Sequence, residues 1–319
     1  MGKLSSVKYK DVDAIGSATK NSEAKSNCFQ SKITNGDVVD LLGKLHKEQK
    51  FDIIIADPPY NIGKDFGNNS DQMEINCYIK WVKKWLALCF NLLADNGLVY
   101  VYGFPEILAR VSAQYPLEKQ RLLAWHYTNK VVPSSSFWQR SYESILCLWR
   151  EKRPSLEIDQ IREPYSENYL QYSGKIRKET NGRFSDGSKK SVYKVHSNGA
   201  LPRDVIKIPA LAGGEGNSER WFMCRSCDNK VYSPKQLNKH KKHDILKHPT
   251  QKPMELTKKL IQSRINGNKG RVLIPFAGSG SECMVAKSLN IEFLGIELNP
   301  EYVEYANKWL ETIECMCTD

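Results

Sequence analysis

Asp57-Pro58-Pro59-Tyr60 sets a carboxylate and an aromatic ring on either side of two consecutive prolines. Two prolines fix φ at about −65° and remove two backbone donors, so the loop is stiff and presents carbonyl acceptors beside the acid. Such a loop suits an aromatic amine. Asp57 and the Pro58 carbonyl can accept its two hydrogens while Tyr60 stacks on the ring that carries it. Held in this way, the nitrogen is pushed toward tetrahedral geometry and becomes a nucleophile. Taken alone, the four residues also suit a turn that closes a strand.

A second constellation is Phe276-Ala277-Gly278-Ser279-Gly280, with Glu297 about one strand further on. Glycines between a strand and a helix let a ligand approach the backbone, and an acid at the end of the next strand can take ribose hydroxyls. Cys283 stands where a fuller G-x-G-x-x-G pattern needs glycine. This favours a nucleoside with a small tail over a pyrophosphate.

A third constellation is Cys224-x2-Cys227, followed after twelve residues by His240 and after two more by His243. The spacing is nearly that of a zinc finger. Val231 and Leu237 stand where its small core needs apolar residues, and Ser233-Pro234 supply a cap and first-turn proline for its helix. His-x2-His is short, so His248 competes with His243 as fourth ligand. Four protein ligands would make the zinc structural, and Lys235, Lys239, Lys241 and Lys242 would face phosphates or bases.

The elements needed to position these groups alternate. Residues 51–56 (FDIIIA) form a continuous apolar run, as in a strand buried on both faces. Residues 74–95 carry apolar groups at helical spacing, with Asn96-Gly97 as a cap. Strands are predicted at 98–102, 122–127 and 144–149, with a helix over 105–114. A strand at 271–276, a helix at 281–290, a strand at 291–297 and a helix at 300–313 close the chain. This is an α/β pattern. Periodicity is lost over 152–198.

DPPYNIGKDF at 57–66, HPTQKPMEL at 248–256 and PFAGSG at 275–280, in that order, resemble the beta-class DNA amino methyltransferases of restriction-modification systems. The resemblance implies a Rossmann-like S-adenosylmethionine-dependent methyltransferase sheet with an inserted target-recognition region and a small zinc-finger-like module. It implies catalysis by Asp57, Pro58, Pro59 and Tyr60. S-adenosylmethionine would be held by Phe276, Ala277, Gly278, Ser279, Gly280 and Glu297, with Thr250, Gln251 and Lys252 near its carboxylate and Asp37 near its adenine. Trp125 with Lys130, and Arg140-Ser141-Tyr142-Glu143, resemble segments beside the target base. Two positions depart from the family pattern: Ile274 replaces an aspartate, and Ser281-Glu282 replace a pair of threonines.

The parts read as an N-terminal arm (1–27), a catalytic half (28–150), a target-recognition region (151–220), the metal module (221–247) and a cofactor half (248–319). The implied reaction is methylation of the N6 amine of a flipped adenine in double-stranded DNA. Cytosine N4, an RNA substrate and an inactive zinc-finger DNA-binding relative stay open.

Lys and Arg outnumber Asp and Glu by 47 to 36, a net charge of +11 that favours a polyanionic partner. Nine cysteines without an export signal argue for reduced thiols. No apolar run is long enough to cross a bilayer. A bacterial or phage-type cytoplasmic protein is expected, with a homodimer and a cognate restriction endonuclease left open.

Overall fold

The computed structural model describes residues 31–63, 71–129, 134–183, 185–211 and 218–313. The arm at 1–27, Lys130 and the end of the segment at 57–66 lie outside the described residues. In chain order the elements begin with β1 (Lys32–Asn35), α1 (Val38–Lys44), β2 (Phe51–Ala56), α2 (Ile75–Leu92), β3 (Leu93–Gly103), α3 (Pro105–Ser112), β4 (Gln120–His126) and β5 (Tyr142–Leu148). Four short elements follow: α4 (Glu167–Leu170), β6 (Ile176–Lys178), β7 (Lys190–Val192) and β8 (Val205–Lys207). Then come β9 (Phe222–Cys224), β10 (Lys230–Tyr232), β11 (Ile245–Leu246), α5 (Met254–Gln262), β12 (Arg271–Ile274), α6 (Ser281–Ser288), β13 (Glu292–Glu297) and α7 (Pro300–Glu311).

Eight strands make one sheet in the order β1-β13-β12-β2-β3-β5-β4-β8. Only β5 runs against its neighbours, β3 and β4. The apolar run of β2 is divided by the pleat. Ile53 and Ile55 pack with Leu260, Met284 and Trp309 of α5, α6 and α7, whereas Ile54 and Ala56 pack with Val82, Trp85 and Leu108 of α2 and α3. The result is a helix–sheet–helix sandwich.

The order of the strands determines where a ligand can enter. β12 and β2 are parallel neighbours, with Val272 opposite Ile53. From β12 the chain passes through α6 to β13 on one side, and from β2 through α2 to β3 on the other. Diverging crossovers leave a crevice at the carboxyl ends of the two strands.

The helix expected over 74–95 ends at Leu92. Leu93 pairs with Phe51, so Asn96 and Gly97 lie in an irregular stretch of β3 and do not cap the helix. The metal module also differs from a finger. It is a three-stranded sheet, β10-β9-β11, with a seven-residue 3-10 turn, Pro234–His240, in place of an α-helix. Trp221, Met223, Val231 and Leu246 belong to the main core, so the module has no separate core of its own.

Candidate active site

β2 delivers Asp57 to one lip of the crevice, and β12 delivers the Phe276–Gly280 turn to the other. Together they line a cavity of about 440 Å³. Asp37, Asp57, Pro58, Pro59, Tyr60, Thr250, Gln251, Lys252, Phe276, Ala277, Gly278, Ser279 and Glu297 all line it. Gly280 does not. It starts α6 in the left-handed region, with φ of 80°.

The catalytic-loop candidates are fixed from below. Tyr78 of α2 donates to the Pro59 carbonyl at 2.7 Å. Beyond Tyr60 the backbone turns through Asn61, at φ 59°, and the buried Asp71 carboxylate accepts from the Asn61 and Ile62 amides.

The centre of the cavity is a charge cluster. Lys252 Nζ lies 2.9 Å from Asp57 Oδ2 and 3.5 Å from Glu143 Oε2. The Tyr60 hydroxyl lies 2.8 Å from Asp57 Oδ1 and 3.0 Å from Glu143 Oε2, and Tyr127 donates to Glu143 Oε1 at 2.8 Å. The ammonium is stacked between the rings of Tyr60 and Tyr102, at 5.2 and 5.1 Å.

Burial lifts the Asp57 carboxyl above the ordinary range, and Lys252 offsets only part of that. Burial pushes the same way on Glu143, but Lys252 with the Tyr127 and Tyr60 hydroxyls outweighs it and holds the group below. Burial would strip Lys252 of its proton, yet Asp57 and Glu143 outweigh it and raise the pKa. The arrangement is therefore a shared cation between two carboxylates, and both Asp57 oxygens are engaged. Lys252, expected near a donor's carboxylate, sits on the acid of the tetrapeptide.

The glycine turn is held by Glu297, whose Oε2 accepts from the Gly278 amide at 2.8 Å and Oε1 from Asn299 at 2.8 Å. Phe276 packs on Trp81 and Trp85 of α2. Asp37 caps α1 through the Val39 and Asp40 amides while lining the cavity. Ile274 is fully buried in the core and does not line the cavity. Glu282 does line it, and burial followed by Asp57 pushes its carboxyl up to about 7.

Of the residues assigned to the base side, Trp125, Arg140 and Glu143 reach the cavity; Ser141 and Tyr142 do not. The Trp125 indole bonds the Ile208 carbonyl at 2.9 Å, and Arg140 pairs with Glu106. Phe137 and Trp138, not singled out in the sequence, are 79% and 87% exposed in the loop that enters β5 and do not line the cavity. Two adjacent aromatics flanked by Ser134-Ser135-Ser136 and Arg140 were the available signal.

This lip-to-lip arrangement can be compared with known proteins. The N6/N4 methyltransferase model, described as DNA methylase, matches residues 51–308. The chain belongs to the DNA methylase family. It is similar to the type II methyltransferase M.HpaI of Haemophilus parainfluenzae, 26% identical over 274 residues, covering 83% of this chain and 70% of that one. It is similar to the DNA adenine methyltransferase YhdJ of Escherichia coli K12, 26% identical over 284 residues, covering 88% and 82%. The cytosine-N4-specific PvuII DNA methyltransferase shares the fold, with a TM-score of 0.56 at 14% identity, covering 91% and 89%. This DNA methylase is therefore an amino methyltransferase of restriction-modification type, in a group whose members act on adenine or cytosine.

The metal candidates Cys224, Cys227, His240 and His243 do not line this cavity, although Arg220 and His248 on either side of them in the chain do. Donor atoms of Cys224, Cys227, His240 and His243 lie within 4.8 Å of one another. Zinc–sulfur bonds of about 2.3 Å and zinc–nitrogen bonds of about 2.0 Å in a tetrahedron require sulfur–nitrogen edges of about 3.5 Å. His243 Nδ1 is 3.4 Å from both sulfurs, and His240 Nδ1 is 3.8 Å from Cys227 Sγ. The donor set fits zinc. His248 faces the other way, its ring 4.9 Å from Tyr302 and lining the cavity, so His243 completes the cluster. Among the described residues no helix is long and apolar enough to cross a membrane.

Proposed function

We propose that the protein transfers a methyl group from S-adenosylmethionine to the N6 amine of an adenine flipped out of duplex DNA. One observation carries this reading: the rigid acid–proline–proline–tyrosine loop and the glycine turn face each other across one cavity at the switch point of the sheet. The complex of M1.HpyAVI with S-adenosylmethionine, which shares the fold with a TM-score of 0.52, supports the choice of donor. Adenine is preferred to cytosine because the tetrapeptide begins with Asp57, as the family resemblance implies.

When bound, S-adenosylmethionine supplies a methyl carbon activated by a sulfonium. Tyr60 stacks on the base, and Asp57 and the Pro58 carbonyl accept the two amine hydrogens; the Pro59 carbonyl is already taken by Tyr78. To reach Asp57, the amine takes the place of Lys252, whose ammonium moves onto Glu143. The donor would supply the methyl carbon to the amine lone pair and leave as the thioether, and Asp57 or water would take the surplus amine proton. Glu297 holds the turn that receives the donor, with Thr250 and Gln251 beside it.

Residues 151–220 are assigned to target recognition, where the exposed Tyr169 and the Lys175–Tyr172 contact suit a nucleic-acid surface. The four-donor cluster is assigned a structural zinc. The readings of a homodimer and of a cognate endonuclease rest on the restriction-modification class alone. The test is mass spectrometry of nucleosides from a host expressing the chain. N6-methyladenine is expected and should vanish with Asp57→Ala; N4-methylcytosine alone would reject the adenine reading, and neither base would reject the activity.

A further inference from the structure

We propose that the Cys224, Cys227, His240 and His243 metal site clamps the donor end of the cleft, so that zinc and methyl donor bind with positive coupling. This rests on the zinc and methyl-donor readings above and assigns the metal module a task other than reading DNA.

Two paths lead from the cluster to the cavity, one along the chain and one through ion pairs and hydrogen bonds. The first runs through β11, which pairs with β9 so that Ile245 lies opposite the ligand Cys224. Two residues past Leu246 stands His248, whose imidazole lines the cavity against Tyr302 and under Gly278. A Cβ at Gly278 would come within 2.8 Å of the imidazole Nε2. Four residues later comes Lys252, bound to Asp57. The second path runs through α7. Arg225, adjacent to Cys224, joins Asp244 at 3.0 Å and Glu301 at 2.8 Å. Asn229 Nδ2 reaches Glu304 at 3.2 Å, and its carbonyl accepts from Lys308 at 3.1 Å. The same helix carries Tyr302 to the cavity and starts three residues after Glu297.

Trp221, Met223, Val231 and Leu246 anchor the module between these paths to the main core, but its own backbone ladders are short. Its strands are two and three residues long. Ladders this short supply few hydrogen bonds, and small modules of this kind take their folding energy from the metal. Releasing the metal should therefore loosen His248–Lys252 and the start of α7 together. Coupling of this kind is reciprocal: the factor by which zinc tightens donor binding equals the factor by which donor tightens zinc.

The experiment uses the full chain and S-adenosylhomocysteine as probe. Zinc content is measured by plasma mass spectrometry, probe affinity by calorimetry on zinc-loaded and zinc-stripped protein, and zinc release to a chelator with and without saturating probe. One zinc per chain is expected, with probe binding roughly tenfold weaker in the stripped protein, restored by added zinc, and zinc affinity raised by the same factor in its presence. Circular dichroism of the stripped protein separates loosening from global unfolding, and Arg225→Ala, which removes the ion pair to Glu301 of α7 and leaves the donor set, should keep its zinc and shrink the factor. Absence of zinc overturns the metal reading and the proposal with it. Zinc without probe binding in the loaded chain overturns the donor reading. Zinc and probe bound with equal affinity in both forms overturns the clamp alone, and the basic face around Lys239 and Lys242 then becomes the module's working surface.

Discussion

Lys252→Met removes the cation that two buried carboxylates share and keeps most of the side-chain volume. At an effective dielectric constant of about 20, charges 2.9 Å and 3.5 Å apart attract by about 6 and about 5 kcal/mol. Desolvation of the ammonium offsets much of this, and removing one partner from such a buried pair costs a net of about 3 to 5 kcal/mol. Protonation of Asp57 relieves part of the cost. Its carboxyl already stands above the ordinary range with Lys252 present, and each pKa unit of further rise corresponds to about 1.4 kcal/mol. The carboxyl therefore rises further. Only the carboxylate accepts a hydrogen bond from the target amine, and with a raised folded pKa that form is lost as pH falls. The variant's single-turnover methyl transfer should therefore be slower than wild type at low pH, with the gap closing as pH rises. Tritium transfer from labelled S-adenosylmethionine to duplex DNA with enzyme in excess reads the chemical step. A variant that matched wild type in rate and in pH profile would refute the coupling of Lys252 to Asp57.

Gly278→Ala forces a side chain into φ of 50° and against His248; roughly tenfold weaker S-adenosylhomocysteine binding by calorimetry is expected, and unchanged affinity would remove the turn from the donor site. Trp138→Ala should weaken duplex DNA binding by roughly 5- to 100-fold, the worth of one base–aromatic stack, and leave donor affinity alone. Fluorescence anisotropy checks this, and equal duplex affinity would reduce the exposed ring to a bystander. Glu282→Gln should gain in melting temperature relative to wild type as pH rises from 5 to 8. The wild-type carboxyl titrates at about 7 when folded and near its ordinary value when unfolded, so the stability it contributes is present at low pH and lost as pH rises through the folded pKa. A constant gap over that range rejects the assignment.

Which parts were legible from sequence follows from where the determining contacts lie. β2 and β12 are buried on both faces, so each reads as an unbroken apolar run, and parallel strands carry their ligand chemistry at the carboxyl end; Asp57 and Gly278 could be assigned to one crevice on that basis. Short, half-exposed β1 gives no such run, and neither α1, capped by Asp37, nor α5, with Met254, Thr257, Leu260 and Ile261 on its buried face, was read from the sequence. Asn96-Gly97 misled because a local dipeptide cannot reveal that Leu93 already pairs with Phe51. Spacing picked out the four residues whose donor atoms cluster but not their fold, since the same intervals fit a finger helix or a 3-10 turn.

The least legible feature lies at the centre of the cavity. The Lys252–Asp57 bond joins residues 195 positions apart. Nothing local to HPTQKP indicates which acid its lysine will meet. Motif resemblance placed Lys252 at the donor's carboxylate, but Pro253 starts α5, and the helix packs its Leu260 and Ile261 into the same core as Tyr102. That packing directs the preceding lysine between Tyr102 and Tyr60. The position of the charge is thus a consequence of core packing two elements away. A substitution that shifts α5, with no contact to the cavity, should therefore alter the titration of Asp57 before it alters the shape of the catalytic loop.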